Sequence, residues 1–206
     1  MSRASAPIRD RRATRRTELL EAAERAIRRA GPAVSMEEIA AEAGITKPIL
    51  YRHFGDKGGL YQALAERYLD GVLAGLRTGL ADSADPQRRI AATIDSFLSL
   101  VEREPQAYRF LMQRALAEET AHSTVMSFTR RLAAEIGAVL RTEFARAGLD
   151  TRGSEALAHG IVGMVALAGD WWLEERGLSR DELVERLATL LWGGFTALPQ
   201  ARNTSS

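Results

Sequence analysis

The sequence predicts an all-α protein, and three observations carry that prediction. Residues 35–54 form two short amphipathic segments joined at Gly44. From residue 56 onward, proline, glycine, serine and aspartate divide the chain into segments whose apolar residues recur with helical spacing. Apolar and polar residues nowhere alternate for long enough to indicate a strand. At 206 residues, the chain can build one large core or two modest domains.

The first two predicted helices have clear boundary signals. The first covers about residues 11–30, and Gly31 and Pro32 end it. The second begins at a capping box, since the Ser35 hydroxyl can accept from the amide of Glu38 while the Glu38 carboxylate reaches back to the Ser35 amide.

The third predicted helix follows a tight turn at Gly44, where a sharp exit from the preceding helix requires a positive φ. Thr46 is expected to cap the third helix, and Pro48 falls in its first turn, where a missing amide hydrogen costs nothing. Ile49 and Leu50 anchor the helix. The side chains left toward solvent are hydrogen-bond donors and one phenol: Lys47, Tyr51, Arg52 and His53. Such a face suits DNA phosphates and base edges.

The run from Ile45 to Tyr61 resembles the signature of TetR-type one-component transcription regulators, in which Ser/Thr-Lys, Tyr-x-His-Phe and a following Lys recur at this spacing. The resemblance implies an all-α, TetR-like fold of nine helices. It implies an N-terminal three-helix helix-turn-helix domain over residues 1–56 and a ligand-binding and dimerisation domain over residues 57–206. We expect the DNA contacts to come from Thr46, Lys47, Pro48, Tyr51, Arg52, His53 and Lys57.

Some residues of this run have two interpretations. Phe54 is expected in the core of the three-helix domain, whereas Tyr51 is expected on a phosphate or a thymine methyl group, with a core position as its alternative. The family often has two glutamates where this chain has Gly58 and Gly59, and these glycines serve either close packing or a hinge. Asp56 is the expected N-cap of the next helix.

Charge is unevenly distributed along the chain. Residues 1–57 hold twelve Lys and Arg against eight Asp and Glu, although the whole chain has a net charge of only +1. The first sixteen residues carry six arginines, including Arg3 and Arg9. We expect this segment to be a disordered arm that follows DNA into a minor groove, the alternative being a solvated leader.

Several function classes are excluded or disfavoured by composition. Cysteine is absent, which excludes disulfides, thiolate catalysis and cysteine-ligated metals. The N-terminus lacks an apolar stretch and no apolar run approaches eighteen residues, so we expect a soluble, cytoplasmic protein without a membrane partner. The three histidines lack metal-ligand spacing, and no nucleophile-elbow or phosphate-loop motif occurs. We therefore expect no enzyme activity, no catalytic residue, no metal and no cofactor.

The rest of the chain is predicted to be helical. Its expected helices cover residues 56–80, 86–104, 105–117, 119–148, 154–176 and 179–197. The boundaries are marked by Asp85-Pro86, Glu104-Pro105, Gly148, Gly177 and a second capping box of Ser179 and Glu182. With the three helices of the head, this makes nine.

The last two helices are predicted to form a homodimer interface. The final helix carries an apolar seam at spacings of three and four, and the helix before it is apolar on every side. The family resemblance implies that both pair with their copies across a two-fold axis. The expected interface residues are Ile161, Leu183, Leu187, Leu190 and Gly194. A monomer in which these helices complete the core is the alternative.

A ligand cavity is expected between segments 86–117 and 119–176, because TetR-type regulators hold an inducer among these helices. Its expected lining is Phe97, Tyr108, Met112, His122, Met126, Met164 and Trp171. Ordinary core packing is the alternative for each of them. Such a lining favours a large apolar molecule. Residues 106–110 and 191–195 are further similar to TetR-type regulators of fatty-acid synthesis, which implies a ligand of fatty acyl type.

These features together predict a ligand-responsive transcription repressor. A homodimer would bind a pseudo-palindromic double-stranded DNA operator and be released by its ligand. The alternatives are an activator, an architectural DNA-binding protein without an inducer, and a helical enzyme. Sequence-specific binding in two half-sites beside its own gene would distinguish a transcription regulator from an architectural protein and from an enzyme.

Overall fold

The structure is a computed structural model that describes residues 6–81, 84–117 and 119–198. In this part of the chain nine helices and no strands occur, so the predicted all-α class is confirmed. The helices are α1 (Ala6–Ala30), α2 (Met36–Glu42), α3 (Lys47–Phe54), α4 (Lys57–Ala81), α5 (Pro86–Arg103), α6 (Pro105–Ala117), α7 (Glu119–Arg146), α8 (Ser154–Glu175) and α9 (Arg180–Thr196).

Local chemistry explains several of the helix ends. Both predicted capping boxes are present: the Ser35 hydroxyl accepts from the amide of Glu38 at the start of α2, and the Ser179 hydroxyl accepts from the amide of Glu182 at the start of α9. Gly44 has a φ of 65°, which lets the chain leave α2 and turn directly into α3.

The N-terminal arm differs from the prediction, because α1 begins at Ala6 and includes Arg9. Arginine is a good helix former and Pro7 suits a first helical turn, so the basic stretch extends α1 instead of staying disordered. Arg3 lies outside the described residues. The described part of the predicted arm, from residue 6 onward, is therefore helical and not disordered, and the helix predicted from residue 11 begins five residues earlier.

The end of α8 also differs from the prediction. Arg176, and not Gly177, takes the left-handed conformation at the C-cap, with a φ of 50°. Its guanidinium lies 4.4 Å from the ring centroid of Trp172 and 3.3 Å from a carboxylate oxygen of Glu102. These two contacts hold the arginine in a conformation that glycine adopts more readily.

The chain divides into two compact units. The first comprises the described residues up to Tyr68 together with Glu104–Val125. Its core gathers apolar side chains of α1, α2, α3, the first half of α4, and α6. The buried Tyr61 hydroxyl donates to the Leu111 carbonyl oxygen at 2.8 Å, which joins α4 to α6. The predicted functional boundary between residues 56 and 57 stays a prediction, since compact units need not coincide with functional domains.

The second unit comprises Leu69–Arg103 and the described residues from Met126 onward. Small residues let its helices cross closely: a Cβ at Gly79 would overlap the Thr93 backbone, and one at Gly169 would lie 3.1 Å from the Leu98 side chain. By length and mean hydropathy alone α8 could cross a membrane, a criterion that core helices of globular proteins also meet. Seven of its residues are buried in the subunit.

Candidate DNA-binding surface and ligand cavity

The recognition helix α3 is held in place by its apolar side. Leu50 is fully buried and Phe54 nearly so, and both belong to the same core cluster as Ile39 of α2. The predicted core position of Phe54 is thus confirmed. Burying this side of an eight-residue helix leaves its opposite side for solvent.

All seven residues expected to contact DNA lie in the first unit, on or directly beside α3. Thr46, Pro48, Arg52 and Lys57 are exposed, while Lys47, Tyr51 and His53 are partly buried. Thr46 occupies the N-cap position with extended backbone angles, but its side chain makes no capping hydrogen bond. Thr46 is therefore the N-cap residue, as predicted, but its hydroxyl does not cap the helix.

Lys47 is engaged by a carboxylate of the preceding helix. Its Nζ donates to Oε1 of Glu37 at 2.6 Å, and the ammonium also lies 5.7 Å from the ring centroid of Tyr51. The hydrogen bond to Glu37 raises the pKa of Lys47, and the same bond lowers the pKa of the Glu37 carboxyl group. In the DNA-free protein, Lys47 is therefore charged but already paired.

The structure adds arginines of α1 to this surface. Arg16 donates from Nη1 to the carbonyl oxygen of His53 at 3.0 Å, and its guanidinium lies 4.6 Å from the ring centroid of Phe54. The pKa of His53 is lowered, first by burial and then by the positive charges of four arginines. These arginines and His53 form what we call the cationic face: Arg12, Arg15, Arg16, Arg52 and His53.

Three arginines of the cationic face, Arg12, Arg15 and Arg16, were expected on a disordered arm and were not named among the individual DNA-contact residues, whereas Arg52 was. Arg12, Arg15 and Arg16 recur at spacings of three and four, which places them on one side of a helix. That spacing could have shown that these arginines lie together on one side of a helix. A side chain on a helix can hold a phosphate oxygen at lower entropic cost than one on a disordered arm.

The start of α4 is closely packed against the end of α3. The predicted N-cap is confirmed, because the Asp56 carboxylate accepts from the amide of Gly59 at 2.8 Å. A Cβ at Gly59 would overlap the carbonyl oxygen of Phe54, whereas one at Gly58 would meet only the Asp56 carboxylate. Gly59 therefore serves close packing, which was one of the two roles considered for this pair of glycines, the other being a hinge.

The second unit contains an apolar cavity of about 410 Å³. This volume lies within the range of roughly 300–1,000 Å³ that is typical of small-molecule sites. Its walls come from α4, α5, α7, α8 and α9, and they include Leu76, Leu80, Ile90, Ile94, Val139, Phe144, Ile161, Trp192 and Phe195. Phe144 and Phe195 meet edge to face, with ring centroids 5.6 Å apart.

None of the seven residues expected to bind the ligand lines this cavity. Tyr108, Met112 and His122 belong to the first unit, whereas Phe97, Met126, Met164 and Trp171 belong to the second. His122, Met126 and Trp171 are exposed. Helical spacing identifies apolar sides of helices, but it does not show which of the packed sides leave a void between them.

The residues expected at the dimer interface also separate into groups. Leu183 and Leu187 are buried within the subunit, and Ile161 lines the cavity, so these three complete the subunit itself. Leu190 and Gly194 are exposed. Large exposed apolar side chains occur on the same two helices, and we call this set the exposed apolar face: Leu167 and Trp171 of α8 with Leu190 of α9.

Comparison with known proteins agrees with this architecture. Residues 19–64 match the family described as bacterial regulatory proteins, tetR family, and residues 75–206 match the family described as tetracyclin repressor-like, C-terminal domain. A TetR-like transcriptional regulator from Rhodococcus sp. RHA1 superposes with a TM-score of 0.66 at 24% identity, over 90% of this chain and 97% of that one.

Two curated relatives extend over most of the chain. An uncharacterized HTH-type transcriptional regulator of Mycobacterium tuberculosis is 36% identical over 189 residues, which cover 91% of this chain and 80% of the relative. The HTH-type transcriptional activator FasR of Mycolicibacterium smegmatis is 29% identical over 186 residues, which cover 90% and 84%. These relatives regulate transcription and are not enzymes. With its two matching domains and its helix-turn-helix head, the chain belongs to the TetR family of DNA-binding transcription regulators.

Proposed function

We propose that this regulator is a homodimeric repressor that acts in the cytoplasm and is released from its operator by a largely apolar ligand. The apolar cavity of the second unit is the observation that carries the ligand-responsive part of the proposal. An unfilled apolar cavity of this size costs stability, which favours a role in binding a ligand.

DNA binding is proposed to use α3 in the major groove of each half-site. The exposed side of α3 presents Thr46, Lys47 and Arg52 to base edges and phosphates. The cationic face would lie along the neighbouring phosphates. A pseudo-palindromic operator follows from a two-fold symmetric dimer, with half-sites about one helical turn apart.

Dimerisation is proposed to use the exposed apolar face. Leu167 is 73% exposed and Leu190 is 64% exposed, which is unfavourable for large aliphatic side chains in water. Among the described residues, a Cβ at Gly160, Gly163 or Gly194 would meet no atom within 4 Å beyond its chain neighbours and its own helical turn, so another helix could approach closely there. A second copy of the chain would cover this surface by an isologous contact.

Helix α4 offers a route by which a ligand could influence DNA binding. Its first half belongs to the first unit, and its second half contributes Leu76 and Leu80 to the cavity. The ligand can lower operator affinity only by as much as it prefers the conformation that binds DNA weakly. A shift of α4 is the proposed difference between the two conformations.

The test combines binding of a hydrophobic fluorophore with operator binding measured by fluorescence anisotropy. We expect one saturable fluorophore site per subunit. Val139→Trp, which fills the cavity from α7, should abolish that site and preserve operator binding. Ala138→Trp is the matched control, because Ala138 is the adjacent, exposed residue of α7. If Val139→Trp binds the fluorophore as the wild type does, the cavity is not the ligand site.

Activation is a second candidate, because FasR, one of the curated relatives, is named as an activator. In vitro transcription from the promoter beside the gene distinguishes the two. Repression predicts fewer transcripts when the protein is added and recovery when the ligand follows. A rise in transcripts would establish activation, and DNA binding that no small molecule changes would favour an architectural role.

A further inference from the structure

The apolar cavity has very few polar groups, and two of them carry charge. Among its lining residues only Arg89 and Glu143 are ionised, and Nη2 of Arg89 donates to Oε2 of Glu143 at 3.0 Å. Their side chains are 20% and 30% exposed, so the pair lies at the margin of the cavity and not in its apolar interior. A ligand with one polar end would place that end here.

The charges at this margin are not balanced. Glu143 also accepts from Nη1 of Arg146 through its other oxygen, Oε1, at 2.8 Å. Two guanidinium groups therefore share one carboxylate. If Arg89 turned to a ligand, Glu143 would keep Arg146 as its partner, so neither charge would be left unpaired. The excess positive charge favours an anion over a neutral or cationic head group.

A hydroxyl group is available beside Arg89. Thr93 follows Arg89 by one helical turn of α5, which places both residues on the same side of the helix. Thr93 lines the cavity, and its hydroxyl oxygen is buried without a hydrogen-bond partner among the described residues. The other threonine of the lining, Thr196, donates to the carbonyl oxygen of Gly193 and is satisfied. The hydroxyl oxygen lies toward Gly79 of α4, so it reaches a ligand acceptor by rotation of the Thr93 side chain, and the hydrogen bond that it then gains favours that rotation.

We propose that the cavity binds an amphiphile with a single carboxylate head. The carboxylate pairs with Arg89 in place of Glu143 and accepts from the Thr93 hydroxyl, while the hydrocarbon body lies among Ile90, Val139 and Phe195. Guanidinium binds carboxylate through two parallel hydrogen bonds, which suits Arg89 better than a neutral head would. This inference rests on the proposed function of the cavity as a ligand site.

The test uses three probes with the same hydrocarbon chain below their micellar concentrations: decanoate, decanol and decyltrimethylammonium. Binding is measured calorimetrically and by the fluorescence of Trp192, which lines the cavity. We expect decanoate to bind most tightly. Arg89→Gln should weaken decanoate binding by about ten- to a hundredfold, the usual range for a charged hydrogen bond, and leave decanol binding unchanged.

Arg88→Gln is the matched control, because Arg88 precedes Arg89 on α5 but is largely exposed and does not line the cavity. Arg89→Lys keeps the charge without the two-pronged geometry and should retain part of the preference. Thermal unfolding shows whether each variant is folded. If Arg89→Gln fails to fold, the wild-type order of the three probes and the Arg89→Lys variant still decide the question.

Two outcomes overturn the inference in different ways. If decanol binds the wild type as tightly as decanoate and releases the operator, the anionic head is wrong and the proposed ligand-responsive function stands. If none of the three probes binds and the fluorophore site is also absent, the proposed function fails together with the inference. Equal losses of decanoate binding in Arg88→Gln and Arg89→Gln would show a general effect of charge and contradict a role for Arg89.

Discussion

Lys47 pairs with Glu37 in the free protein and is proposed to contact DNA in place of Glu37 when the operator binds. In the DNA-free protein Lys47 is bound by a carboxylate of α2, so a phosphate or base edge must displace Glu37 before Lys47 contributes to DNA binding. Exposed ion pairs of this kind are weak, and a phosphate of the DNA backbone can replace the carboxylate. If Lys47 contacts DNA as proposed, Glu37 competes with the DNA for it and so lowers the affinity.

We predict that Glu37→Gln raises affinity for operator and for unrelated DNA. The variant frees Lys47 and removes a negative charge beside α3, so the slope of log affinity against log salt should become steeper by about one unit. Anisotropy titrations at several salt concentrations measure both quantities. Glu135→Gln is the control, since it removes one exposed carboxylate from the second unit. Unchanged affinity and slope in Glu37→Gln would contradict this role.

His53 is predicted to make operator binding depend on pH. Burial and the nearby Arg52, Arg15, Arg12 and Arg16 lower its pKa below the ordinary value of 6.5, so most of the imidazole is neutral at pH 7 in the free protein. A bound phosphate favours the charged form and raises that pKa. Binding then takes up a proton, and operator affinity should rise as pH falls through the interval between the two pKa values.

Anisotropy titrations between pH 8 and pH 5.5 measure this dependence. His53→Gln should flatten it while keeping a hydrogen-bond donor at the same position. His122→Gln, which alters an exposed histidine of α7, should leave it as in the wild type. A His53→Gln profile as steep as that of the wild type would assign the pH dependence to other groups.

At the scale of helices, the contact between the end of α3 and the start of α4 depends on Gly59. Replacing a helical glycine by alanine ordinarily stabilises a helix by up to about 1 kcal/mol. At Gly59 the new methyl group would overlap the Phe54 carbonyl oxygen, so we predict that Gly59→Ala lowers the free energy of unfolding by roughly 1–3 kcal/mol.

Gly58→Ala provides the matched comparison. Its methyl group would meet only the end of the Asp56 side chain, which can move. We expect this variant to be neutral or to gain up to about 1 kcal/mol in its free energy of unfolding. Chemical denaturation followed by circular dichroism measures both variants. Equal stability changes would show that close packing does not explain Gly59.

The helices were predictable from the sequence because their signals are local. The capping boxes at Ser35 and Ser179 and the positive φ of Gly44 depend on residues within a few positions of each other, and the structure confirms them. The start of α1 was not predictable in this way, since high charge density and good helix propensity point in opposite directions for the same arginines.

At the scale of the whole molecule, tertiary packing decides what periodicity leaves open. The α9 seam was recognised, but its spacing does not show that Leu187 faces the subunit core while Leu190 faces solvent. The cavity was expected from the family resemblance, yet its walls depend on five helices whose packing leaves a void. The pairing of Lys47 with Glu37 likewise requires the folded arrangement of α2 and α3.

We predict that Leu190→Glu converts a dimer into a folded monomer. Leu190 is exposed in the subunit, so the charge costs nothing there but would be buried and unpaired in the proposed interface. Sedimentation velocity measures the assembly, and circular dichroism reports the helix content. Thr189→Glu, at the adjacent exposed residue of α9, should leave the oligomeric state unchanged. A Leu190→Glu protein that remains dimeric would exclude this surface.

The two candidate sites are built from very different lengths of chain. The residues proposed to read DNA on and beside α3 lie within residues 46–57, whereas the cavity walls come from α4, α5, α7, α8 and α9. A few substitutions within one short segment of the gene could therefore change the operator sequence that such a protein binds. Ligand preference would instead drift through separate substitutions scattered over the gene. Duplicated copies could then diverge in the genes they control without first changing the signal to which they respond.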